Sequence, residues 1–385
     1  MVSTLIASIA LAAWLYLLMF NKGFWRLTEH DERFVPEGAT APEGAHVIAI
    51  VPARDEAEVI DASLASLLKQ DFPGRFEVVL VDDDSTDGTG DVARAAAAKL
   101  GAADRLTVLK SGGPTDGWTG KIAAMHRGFD YVRSLPKQPD FVLFCDADIA
   151  FESHVLARLV AGASARGAVL SSLMVKLRCE SPAEKWFIPA FIFFFQKLYP
   201  FRAVNDPECH IAGAAGGVML VRPEALARAG ALPAIRDALI DDCALGALMK
   251  KQGPIWLGLT DDVRSLRPYP HFADIERMVT RSAYAQLDYS PLKLAGAVVG
   301  MCLVYLAPPL IVVLAESPAR DIALVAWLIM AQAYMPSLRF YGLSRARAFA
   351  LPLIAACYTW FTAVSAWRHM RGRGGEWKGR YQAPA

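Results

Sequence analysis

Apolar residues along this chain fall into two kinds of run. The first kind is long and free of charge. Residues 2–20 carry no ionisable side chain except Tyr16 and are long enough to cross a bilayer as a helix. No basic residue precedes them, whereas Asn21, Lys22 and Arg26 follow, so a membrane helix with its N-terminus outside is expected, not a cleaved leader. Near the other end, 294–315, 322–338 and 348–367 repeat the pattern, separated by short polar links. Three full crossings there would place the basic stretch Arg368-His369-Met370-Arg371-Gly372-Arg373 on the face opposite the central domain, against the positive-inside rule. The middle segment is the shortest and holds Gln332 and Pro336, so it is expected to be re-entrant or interfacial, with the tail on the cytoplasmic side.

The second kind of run is short and alternates between strand and helix periods. Apolar stretches at 46–51, 76–81, 105–109 and 140–145 read as strands. Between them, Ile60, Leu64, Leu67 and Leu68, the alanine-rich 88–100, and 122–132 read as helices. That order predicts an α/β domain with a doubly wound, mostly parallel sheet, whose ligands bind beyond the carboxyl ends of the strands. The expected layout is a membrane helix at 1–21, a linker at 22–44, the α/β domain at 45–290, membrane segments at 291–368 and a basic tail at 369–385. One segment stands out within the domain: 185–200 is almost wholly aromatic and aliphatic, with Lys185 and Lys197 flanking it. It predicts a helix lying in the membrane interface.

Composition narrows the function classes. A formal net charge of +1 over 385 residues gives no electrostatic footprint for nucleic acid. The six cysteines are scattered without metal-ligand spacing, as expected of reduced, structural thiols.

Acidic residues cluster where the strands end. Phe141-Val142-Leu143-Phe144-Cys145-Asp146-Ala147-Asp148 delivers two carboxylates on one face, which repel unless a hard divalent ion shared with a phosphate offsets them. Val51-Pro52-Ala53-Arg54-Asp55-Glu56 ends the first strand with charged groups facing the same crevice. Asp82-Asp83-Asp84-Ser85-Thr86-Asp87 follows the second; Ser85 or Asp87 serves as a helix cap, and Asp82 and Asp83 then need donors such as a nucleoside supplies. Lys121 opens a helix, where it is either solvated or reaches a diphosphate. The small residues from Gly213 through Gly216 and Gly217 permit close approach of backbone or substrate. Asp241 and Asp242 open an apolar helix, one as a cap and the other free for proton transfer.

In this order the motifs Val-Pro-Ala-Arg-Asp-Glu, Asp-Asp-Asp-Ser-Thr-Asp-Gly, Gly-Lys, the DXD-type Asp-Ala-Asp, Gly-Gly and Asp-Asp-x-x-Leu-Gly resemble the family 2 glycosyltransferases of the GT-A fold. The membrane helices and the closing Gly-Gly-x-Trp-Lys-Gly-Arg resemble more narrowly the hopene-associated members, which serve hopanoid biosynthesis. The resemblance implies an inverting hexosyltransferase in a bacterial inner membrane, multi-pass, with its catalytic domain facing the cytoplasm. The implied donor is a nucleotide-diphosphate sugar, a UDP-sugar first of all, and the acceptor a hopanoid-type lipid. Polyprenyl phosphate, or an inactive nucleotide-sugar-binding membrane protein, are the alternatives. Pro52, Arg54, Asp55, Glu56, Asp82, Asp83, Lys121, Asp146 and Arg281 would face the donor. Asp148 with Asp146 would hold Mg2+ or Mn2+, and Asp242, with Asp241 beside it, would be the general base. Gly216, Gly217 and His210 would line the acceptor side. The Gln-x-x-Arg-Trp of processive members is missing around Arg281, which implies a single transfer.

Overall fold

A computed structural model describes residues 1–381, so the last four residues of the expected tail lie outside the described residues. The chain divides into two compact units. One comprises Glu29–Arg178 and Ala203–Pro268; the other comprises Met1–Thr28, Cys179–Arg202 and the chain from Tyr269 onward.

The first unit is built on one mixed eight-stranded sheet. Its strands are β1 (His46–Ala53), β2 (Arg75–Asp82), β3 (Leu106–Lys110), β4 (Phe141–Cys145), β5 (Ile149–Phe151), β6 (Leu170–Lys176), β7 (Val218–Val221) and β8 (Ile255–Ser265). Their spatial order is β3-β2-β1-β4-β7-β6-β8-β5. The block β3-β2-β1-β4 is parallel, as the βα alternation predicts. Beyond β4 the expectation of a mostly parallel sheet gives way: β4 with β7, β7 with β6, and β8 with β5 are antiparallel, and only β6 with β8 is parallel.

The reason is local. After Asp148 the chain turns directly into β5 instead of a crossover helix. β7 reaches β4 from the small-residue loop, so it runs the other way. The carboxyl ends of β1, β2, β4, β6 and β8 and the amino end of β7 thus share one edge. β1 and β4 are buried along their whole length, which explains their continuous apolar sequences. The helix Gly120–Ser134 lies close on this block because residue 128 is glycine; a Cβ there would sit 2.5 Å from Ile50 Cγ2. That approach fixes the helix's first turn, and Lys121, at the functional edge.

Among the described residues of the second unit, four helical runs are long and apolar enough to cross a membrane: Val2–Phe20, Pro291–Leu314, Ala319–Phe340 and Arg345–Met370. The helix Pro182–Leu198 belongs to this unit. Its start is a full capping box, Ser181 accepting from the Glu184 amide at 3.1 Å while the Glu184 carboxylate accepts from the Ser181 amide at 2.8 Å. The middle C-terminal segment, expected to be short, is a helix of 22 residues that carries Pro336 inside it.

Candidate active site

The centre of the site is Lys121. Its Nζ lies 2.8 Å from an Asp146 oxygen and 2.9 Å from an Asp241 oxygen. A cation in the first turn of a helix opposes the macrodipole, so its carboxylate partners are required to hold it. Burial alone would lower the Lys121 pKa, but Asp146 and Asp241 outweigh it and keep the ammonium charged. The sequence offered a solvated lysine or a phosphate ligand; the structure overturns the first and makes Lys121 the counter-ion of an acid cluster.

Asp242 completes the cluster. One carboxylate oxygen accepts from the Gly216 amide at 2.9 Å and the other from its neighbour Cys243 at 2.7 Å. Gly216 leaves room for the cluster, since a Cβ would lie 3.1 Å from Lys121 Nζ and 3.4 Å from Asp242 Oδ2 and press on both. Burial first, and then the charge of Asp241, push the Asp242 pKa up to about 6, against the pull of Lys121. Asp146 is raised as well, by burial above all, with Lys121 pulling the other way and Asp148 and Asp241 adding to the rise. The expectation that one of the two acids caps the helix is corrected: Asp241–Lys250 starts after Ile240 with no side-chain cap. Both acids turn to the cluster instead. Gly246, one helical turn on, lets this helix pack on the loop backbone, where a Cβ would lie 2.7 Å from Gly213 C and 3.0 Å from Ala214 N.

Asp148 is held differently. Arg267 donates through Nε to Asp148 and through Nη2 to Glu56, each at 2.6 Å. The register explains the meeting: β5 starts one residue after Asp148, Ile149 pairs with Ser265, and the Leu266 amide donates to the Asp148 carbonyl at 2.7 Å. Arg267 was not among the residues singled out from sequence. Its only signal is its place just past a strand, and its partners are 119 and 211 positions away.

The nucleoside corner is also corrected in part. Asp82 and Asp83 were expected to need a ligand's donors, yet the protein supplies them. Lys110 donates to Asp82 at 2.6 Å and the Ser85 amide at 2.9 Å, while Ser111 donates to the fully buried Asp83 at 2.6 Å. Burial works to raise the Asp82 pKa, but the Lys110 and Ser85 bonds outweigh it and hold it below the usual range. Arg54 donates to the Asp83 carbonyl, and Asp55 accepts from the Thr86 amide at 2.8 Å, which ties the β1 and β2 loops together. Ser85 and Asp87 do not cap the helix Thr89–Lys99 in the usual way. Ser85 accepts from the Asp55 amide at 3.0 Å, and Asp87 from those of Ala57 and Thr89 at 2.9 and 3.0 Å.

Pro52 lies inside β1, Gly217 precedes β7 with Val175 2.8 Å from where its Cβ would be, and His210 is exposed on the loop before Gly213. Arg281 follows the helix Phe272–Thr280 in the other unit.

Among the described residues, no three His, Cys, Asp or Glu side chains form a ready-made metal cage. The donor set still fits a hard cation of the Mg2+ or Mn2+ kind, which is commonly held by one or two carboxylates plus substrate phosphates. Asp146, Asp241 and Asp242 gather on a single ammonium, and that surplus of negative charge favours a further cation.

The acidic cluster thus sits at the carboxyl edge of the sheet, where an α/β domain binds its ligands. Residues 48–230 match the sequence profile described as Glycosyl transferase family 2. Over 144 residues it is 31% identical to the 4,4'-diaponeurosporenoate glycosyltransferase of Staphylococcus haemolyticus, covering 37% of this chain and 33% of that protein. Over 113 residues it is 38% identical to a PGL/p-HBAD biosynthesis glycosyltransferase of Mycobacterium bovis, covering 29% of this chain and 39% of that one. The matches thus span little more than a third of these relatives' own length. Among solved structures, the mannosyltransferase of Pyrobaculum calidifontis in complex with GDP-Man and Mn2+ superposes with a TM-score of 0.56 at 20% identity. The likeness covers 96% of this chain and 99% of that one, and it shows a shared, GT-A-like fold.

Proposed function

We propose that this chain is a membrane-bound glycosyltransferase that moves one sugar, with inversion, from a nucleotide-diphosphate sugar to a lipid acceptor of the hopanoid type. The observation that carries the proposal is the placement of Asp242. It is fixed by two backbone amides, has a pKa near 6, and stands beside Lys121 and the Asp146 strand end. A carboxylate with a pKa just below neutrality is both ionised at working pH and basic enough to accept a proton from an acceptor hydroxyl as it attacks the anomeric carbon. Asp241 and Lys121 position it.

The residues of Asp-Ala-Asp would hold Mg2+ or Mn2+ between them and the donor phosphates, Asp148 most directly. The cation when bound supplies neutralisation of the charge that builds on the departing nucleoside diphosphate. Asp82 and Asp83 would meet the base and ribose, with Ser111 the donor that a nucleoside replaces on Asp83. Arg54, Asp55 and Glu56 would line the same corner.

Two relatives bear the names of a diaponeurosporenoate and a PGL/p-HBAD glycosyltransferase, which supports a lipid or glycolipid acceptor here. The long apolar helices support the same reading. Contacts within their unit favour a particular membrane path. The helix Ala319–Phe340 packs against Val2–Phe20, with its start beside Ala7 and Ile311, and it also meets residues 24–26. His369 stacks on Tyr289, just ahead of Pro291, at 4.4 Å. Residues 341–370 therefore leave and return on one face, the face of Asn21, and that face is assigned to the cytoplasm of a bacterial inner membrane. On this path the re-entrant piece would be the last helix, which would bring the basic tail into line with the positive-inside rule.

The test is to incubate membranes holding the chain with a panel of labelled UDP- and GDP-sugars and to extract lipid. Label from one donor in a hopanoid-class lipid is expected. Label in a polyprenyl phosphate would move the acceptor, and label in none would remove the proposal.

A further inference from the structure

We infer that Arg267 is a resident counter-ion of Asp148 that a divalent cation has to displace, so that the chain takes up cation and nucleotide diphosphate together. The inference rests on the reading of Asp148 as a cation ligand given above.

Arg267 bridges carboxylates from two different strand ends, Asp148 after β4 and Glu56 after β1, at 2.6 Å to each. The acid side chains are 11% and 10% exposed and the arginine 34%, so the guanidinium forms the solvent-facing side of the trio. It is held in place by the β5–β8 register and the Leu266 amide, which distinguishes it from a loosely tethered surface arginine. A guanidinium is charged at every working pH, so it occupies an Asp148 oxygen and repels a second cation there. Lys121 cannot take over its task, because it already serves Asp146 and Asp241.

A hard cation needs the Asp148 oxygens, and binding it breaks the Arg267 bond. A diphosphate offsets that loss, since the donors released from Asp148 match phosphate oxygens in the paired geometry that arginine favours. Cation alone should therefore bind weakly, and cation with nucleotide strongly.

The experiment is Mn2+ binding to the full detergent-solubilised chain, read by the electron paramagnetic resonance signal of free Mn2+, first alone and then with saturating UDP or GDP. Wild type should bind Mn2+ on the order of tenfold more tightly with the nucleotide it prefers. Arg267→Gln should bind Mn2+ alone about tenfold more tightly than wild type, with little further gain from nucleotide. Arg267→Lys keeps the charge but loses the fork that spans two carboxylates, and should fall between them; this ranking carries the test should the glutamine variant fold poorly. Affinity in the variants equal to or below wild type, with Mn2+ binding still lost in Asp148→Asn, would make Arg267 a structural brace and leave the metal reading intact. Absence of Mn2+ binding in every protein, with or without nucleotide, would overturn both.

Discussion

Lys121 decides the electrostatics of the site one residue at a time. With one ammonium among Asp146, Asp241 and Asp242, the acids cannot all keep ordinary pKa values, and Asp242 is pushed to about 6. For a base, the ionised form is the active one. The rate of transfer, as kcat/KM, should therefore rise with pH through an acid limb near 6 and level off above it. A limb near the ordinary carboxylate range would show that Asp242 is not desolvated. Lys121→Gln removes the pull toward the ionised form and should move the limb upward, measured from the same profile. The acids themselves were legible in the sequence because carboxylates placed after apolar strands have few structural uses. Their partners were not. Lys110 and Ser111 on Asp82 and Asp83, and Arg267 on Asp148, come from strand ends far along the chain, and no local pattern announces them.

Among the elements, the parallel block and its helices followed the sequence closely, since β1, β4 and the Val78–Val81 part of β2 are buried on both faces and read as apolar runs. The antiparallel half did not. β5 has three residues and β7 four, too short to show a period, and their direction depends on loops. Close packing sets the helix Asp241–Lys250, and glycine makes it possible. Gly246→Ala should gain roughly 1 kcal/mol in helix propensity. It should lose more, about 1–3 kcal/mol, by forcing a Cβ into the Gly213–Ala214 backbone. Thermal denaturation should show a net loss of stability, and transfer should fall with it as Asp242 shifts. A rise in melting temperature would mean that the loop yields freely.

For the whole molecule, the apolar runs at both ends were plain in sequence, but their path was not, because hydropathy alone does not separate a crossing from a re-entrant helix. His369 pairs with Tyr289 and Arg368 with Glu276 at 2.6 Å, and on the proposed path the end of the last helix lies on the face where Pro291 enters. In a cysteine-free background, single cysteines at Asn21 and Arg371 should react with a membrane-impermeant maleimide from the same face. Labelling from opposite faces would restore a fourth crossing.

The proposed function turns on Asp242 as the base of a sugar transfer to lipid. Its most direct test compares wild type and Asp242→Asn in one preparation, measuring labelled sugar in extracted lipid alongside binding of the labelled donor. Loss of a positioned general base costs about 10²–10⁴-fold in rate. The variant should retain donor binding while its lipid label falls by that order. Unimpaired labelling by the variant would contradict it.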